Sequence, residues 1–130
     1  MILFQFGSLV FDKYIKYDGY DQTPNARQDL DSYRDADGVL QRNALRHTAT
    51  GIEFDTHVMW SEDFDQMIAG MTASYINFNE RDAMCSYYDF ETRTQKTGHF
   101  YLDSNWKTHV IWRCGDRLLY GETHFAFVEY

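Results

Sequence analysis

Short apolar runs and polar breaks succeed one another along the chain, and they predict a β-rich protein. Ile2 to Phe6 and Leu9 to Tyr17 flank Gly7 and Ser8, a two-residue connection suited to a hairpin, so the first two strands are expected to pair. Asp18 to Asp31 is polar and turn-rich and carries the lone proline, Pro24. This stretch predicts a long loop, and a long loop in a compact domain usually serves function or assembly. Val39 to Thr48 fits a strand or a short helix equally. Beyond it the alternation is clear: Ile52, Phe54, Thr56, Val58 and Trp60 share one face, with Glu53, Asp55 and His57 on the other, as a half-buried strand requires.

The period then changes. Phe64, Met67, Ile68 and Met71 recur at helical spacing, Ser61 stands where an N-cap would, and Glu62 and Asp63 place negative charge at the positive end of the helix dipole. Such a helix has one apolar stripe and must dock on a sheet, because propensity alone does not hold a short helix in water. The remainder reads as strands at Ala83 to Glu91, Thr97 to Asp103, Lys107 to Cys114, Arg117 to Gly121 and Thr123 to Tyr130, separated by turn signals at Thr92 to Gln95, Asp103 to Asn105 and Gly115–Asp116. Many short strands and one helix predict a mainly β domain spanning residues 1–130, an antiparallel β-sandwich or small barrel with the helix docked against it.

Composition agrees. The 130 residues are 44% hydrophobic and 18% aromatic, and flat rings suit a pleated sheet. A net charge of -8 with scattered basic residues argues against nucleic acid and anionic membranes as partners. The first residues lack the basic lead and continuous apolar run of a signal peptide or membrane span, so a protein made in the cytosol is expected. Cys85 and Cys114 are too few for a disulfide scaffold and are expected as reduced thiols, although a pairing across strands stays open.

Tests for chemistry return little. Residues 32 to 45 place Asp35, Asp37 and Gly38 at part of the spacing of a calcium loop, but Tyr33 and Ala44 fall where the first and last oxygen ligands belong. The simpler reading is a turn made by Asp37 and Gly38, with Arg34 and Arg42 on its shoulders. Those arginines are either solvated or paired with carboxylates of a neighbouring subunit. Tyr33, Arg34, Asp37 and Arg42 are accordingly the subunit-interface candidates. His47, His57, His99, His109 and His124 lack metal-ligand spacing, no serine sits in a nucleophile elbow, and no glycine-rich phosphate loop occurs. No catalytic residue, metal or cofactor is expected. Trp60, Trp106 and Trp112 could stack on sugars, although strand aromatics more often fill a core.

Four segments, residues 32–45, 52–68, 87–103 and 125–130, resemble small proteins encoded in the tail-gene region of bacteriophages and prophages. The resemblance implies a structural subunit of the tail tip or baseplate, similar in role to the ring-forming domain of distal tail proteins. It further implies a homo-oligomeric ring contacting neighbouring tail proteins, located in the virion. Two rivals remain: a carbohydrate- or small-ligand-binding β module, and a small hydrolase using dispersed His and Asp residues, which predicts a concave pocket gathering at least two of the five histidines where a tail subunit predicts them scattered.

Overall fold

A computed structural model describes residues 1–34, 40–103 and 105–130, with the backbone alone for residues 27–34 and 40–48. The fold is mainly β with one docked helix, as the pattern predicts. Among the described residues the strands run β1 (Phe4–Phe6), β2 (Leu9–Val10), β3 (Ile15–Arg34), β4 (Leu40–Thr56), β5 (Met59–Trp60), β6 (Asp82–Asp89), β7 (Thr94–Leu102), β8 (Val110–Cys114), β9 (Arg117–Tyr120) and β10 (His124–Glu129), with α1 (Ser61–Ser74) between β5 and β6. All pairings are antiparallel. Seven strands form one curled sheet in the order β2-β1-β6-β7-β10-β4-β3, a half-barrel, and β5-β9-β8 form a smaller sheet beside the N-terminus of α1.

Alternation fills the concave side of the large sheet with rings. Phe4, Phe6, Phe11, Phe54, Phe100, Phe125 and Phe127 are all at most 1% exposed. Their centroids lie as close as 4.8 Å (Phe4–Phe127) and 5.1 Å (Phe11–Phe54), in the tilted arrangements that ring quadrupoles favour. The helix adds Phe64, Met67 and Met71 to this core, with Ile68 at its margin. Phe64 stacks on Tyr120 at 4.0 Å, which ties α1 to the small sheet.

The β1–β2 hairpin forms at Gly7–Ser8. Gly7 has φ +59°, and a Cβ there would collide with Ser74 at the end of α1, so glycine is required on two counts. The second strand is shorter than expected, because a 3-10 turn at Asp12–Tyr14 interrupts it. That turn aims the Asp12 carboxylate at the Leu3 and Phe4 amides, 3.0 to 3.1 Å away.

Three further expectations are corrected. The predicted loop at Asp18 to Asp31 is strand: it belongs to β3 and pairs with β4, with register shifts that absorb Pro24 and the positive φ of Asp18 and Asn25. Proline is tolerated there because β3 is an edge strand. The inward face of β4 ends at Thr56, since the chain breaks at His57–Val58, leaving Val58 43% exposed and turning Met59 inward. Ser61 is the first helical residue rather than the cap, and its Oγ instead accepts from the Leu118 amide at 3.3 Å. Of the ambiguous stretch, Leu40 to Thr48 is strand. No bridge joins the cysteines; Cys85 is buried and Cys114 exposed.

Candidate functional site

The polar face of β3 closes the half-barrel. Tyr20 Oη donates to the Leu3 carbonyl at 3.2 Å, and Gln22 spans to the end of β6, donating to the Tyr88 carbonyl at 2.8 Å and accepting from the Phe90 amide at 2.9 Å. Asn25 Nδ2 donates to Asp89 at 2.8 Å. Asp89, wholly buried, also accepts from Lys96 Nζ and from the Glu91 amide, each at 2.8 Å. Burial opposes its charge, but Lys96, Asn25 and the backbone amides outweigh that and hold the carboxyl well below the usual range. Side chains, rather than strand pairing, thus seal the gap between β3 and β6.

Past this seal the two strands continue. β10 pairs with β4 from Asp55 to Gly51, whereas β3 pairs with β4 from Thr56 to Leu40. Among the described residues, the part of β4 before Gly51 has no strand partner except β3. The result is a two-stranded arm running on from the body. Its register sets Ser32 opposite Arg42, Tyr33 opposite Gln41 and Arg34 opposite Leu40, so Tyr33, Arg34 and Arg42 lie in the outer part of the arm. Asp37, and with it the expected turn and the calcium spacing, falls outside the described residues.

Two apolar surfaces stand at opposite ends of α1. At its N-terminal end β8 is an edge strand exposing Val110 and Ile111 at 48% each and Trp112 at 61%. Beside it Arg117 stacks over Trp60 and forms a two-bond pair with Glu62. After its C-terminal end the α1–β6 connection exposes Ile76 at 64% and Phe78 at 72%. That connection is firmly held: the Asn77 amide donates to Asp82 Oδ1 at 2.9 Å, the Ile76 amide to the Asp82 carbonyl at 2.8 Å, and the Arg81 amide to the Asn77 carbonyl at 2.9 Å. Asp82 also meets His99 Nε2 at 2.6 Å. Burial opposes ionisation of Asp82, yet His99 and the Asn77 amide lower its pKa. Alongside lies a concavity of about 450 Å³ walled by Glu80, Tyr101, Glu129 and Tyr130.

A cleft of about 480 Å³ opens between the β7–β8 connection and β10, with His109, His124, Glu122 and Trp106 on its walls. Two of the five histidines therefore converge, which sequence spacing does not reveal, because His109 and His124 come from segments joined only through the β8–β9 hairpin. His124 Nδ1 meets Asp55 at 2.8 Å, across the β4–β10 pair, and Glu122 pairs with Lys16. Thr123 donates its hydroxyl to Thr108, and no described serine or cysteine adjoins the imidazoles as a nucleophile. No group of three or more His, Cys, Asp or Glu side chains among the described residues has metal-binding geometry. Of the other three, His57 faces the Lys13 and Val58 carbonyls and His99 faces Asp82, while the His47 side chain lies outside the described residues.

Trp106 packs on Phe64 and Phe125, so of the three tryptophans Trp112 is the one standing well into solvent. No described helix is long and apolar enough to cross a membrane. Residues 2–130 match the sequence model of a family described as a family of unknown function (DUF6711). No curated protein matches the chain, and no solved structure does.

Proposed function

The chain belongs to the DUF6711 family, and for it we propose the role of a non-enzymatic structural subunit of a bacteriophage tail, working as a homo-oligomer within the tip, baseplate or a tube-associated ring. One observation carries this reading: the β3–β4 arm. A two-stranded ribbon beyond its parent sheet is marginal alone, because it buries little and leaves both backbone edges unpaired. It becomes stable by lying on a neighbour. Arms of this kind suit a ring whose subunits contact head to tail. The described parts of the segment that resembles tail-region proteins, residues 32–34 and 40–45, lie in the arm.

The test is the mass of the purified full-length chain, by light scattering and electron microscopy. Rings or multimers are expected for the wild type, and reversing Arg34 and Arg42 to Glu should reduce them. A wild-type chain that stays monomeric at high concentration sinks the reading. If only the double variant is unaffected, the two arginines are ordinary surface.

The cleft supports a second reading, a small-ligand-binding module, because it gathers His109 and His124 beside Trp106 as a ligand pocket would. Binding of a glycan or small anion by a monomer, abolished by His109→Ala, would favour this reading over assembly.

A further inference from the structure

Resting on the assembly reading, we propose that the β8 edge of one copy docks on the α1–β6 connection of a second copy, with Val110, Ile111 and Trp112 covering Ile76 and Phe78, and Arg113 entering the Glu80–Tyr130 concavity.

The two surfaces lie at opposite ends of α1, whose 14 residues separate them by about 21 Å. Leu118 and Arg117 bond to Ser61 and Glu62 at its start, and Ile76 follows its last turn closely. Surfaces at opposite ends of one subunit cannot meet each other within that subunit. Between copies they form a head-to-tail contact, the type that propagates into rings.

Their charges are complementary. Arg113 is exposed and donates to the Gly115 carbonyl at 3.3 Å, and no described carboxylate pairs with it. On the far side, Glu80 stands beside the Tyr101 and Tyr130 rings, whose centroids are 4.9 Å apart, while the Glu129 carboxylate is turned to the Thr50 amide at 3.1 Å. Glu80 Oε2 accepts from Tyr130 Oη at 3.3 Å, which leaves lone pairs for a guanidinium. Burial, and after it the charges of Glu80 and Asp82, raises the Tyr130 pKa. Aromatic rings beside the Glu80 carboxylate suit arginine, which stacks and donates in a fork at once.

Preorganisation points the same way. Asn77, Asp82 and Arg81 hold the connection in one conformation while Ile76 and Phe78 remain in water. Ordering costs conformational entropy, and little apolar burial within the chain offsets it. A partner laid on these side chains supplies that burial.

The experiment uses two full-length variants, each blocked at one end. Trp112→Asp with Arg113→Glu disables the β8 end, and Ile76→Asp with Phe78→Asp disables the connection. All four positions are exposed, and thermal melts confirm folding before masses are compared. Each variant alone should give a mass well below that of the wild type, and an equal mixture should give a species heavier than either variant alone, since each supplies the end the other lacks. If the wild type assembles and either variant assembles equally well, or if the mixture is no heavier than the variants alone, the docking is overturned while the assembly reading stands. A monomeric wild type overturns both.

Discussion

The buried Asp89 carboxylate is the residue on which closure of the half-barrel turns. Its folded pKa lies below the unfolded value, so its anchoring contributes stability above about pH 4 and loses it as pH falls toward the folded value. Lys96→Met should lower the melting temperature at neutral pH, where a buried charge loses its cation, and the gap from wild type should narrow in acid as Asp89 is protonated in both. A gap constant with pH would mean that Lys96 contributes only packing. Glycine is constrained as locally. Gly115 has φ +59° with nothing within 4 Å of a built Cβ, whereas Gly7 has the same φ and meets Ser74. Gly115→Ala should cost about 1 kcal/mol from the backbone alone, and Gly7→Ala clearly more; equal chemical-denaturation midpoints would remove Ser74 from the account. Burial pushes the Cys85 thiol up to about 12, and thiolate is the reactive form. A thiol reagent at neutral pH should therefore modify Cys114 at once and Cys85 only after unfolding, as mass spectrometry would count.

At the scale of elements, α1 is legible in the sequence because its stripe answers one physical demand: Phe64, Met67 and Met71 are the buried helical residues. Phe64 is 6% exposed and stacked on Tyr120, so Phe64→Ala should destabilise by about 3–5 kcal/mol. A midpoint within experimental error of wild type would show that the helix does not depend on that contact. β6, β7 and β10 are legible for the same reason, a two-residue period that fills one face. β3 was not, because Tyr20, Gln22 and Asn25 spend their polar groups closing a sheet rather than meeting water, and composition alone makes such a strand look like a loop. Nor was the break at His57–Val58, where a bend reverses which residues turn inward without altering the apolar count. The candidate surfaces were hidden differently. Val110, Ile111 and Trp112 resemble core strand in sequence, and only the sheet order, which leaves β8 at an edge, exposes them.

For the whole molecule the question is whether body and arm are separable. Strand pairing answers in physical terms: β10 leaves β4 at Gly51, and the Asn25–Asp89 bond secures β3 on the body side of the Ala26–Ala49 pair. Among the described residues the arm beyond that pair has no strand partner outside itself, so its loss removes no described strand pairing from the half-barrel. Replacing residues 27–48 by Asn-Gly joins Ala26 to Ala49, which are already cross-strand partners, through a two-residue turn whose twist matches the strands. The shortened chain should keep the far-ultraviolet signature of the body and melt within a few degrees of wild type, but lose the multimers expected of the full chain. Collapse of the body would make the arm part of the fold rather than a device for reaching neighbours. Undiminished assembly would instead shift the whole burden of subunit contact to the two ends of α1, where the docking of β8 can be tested without the arm.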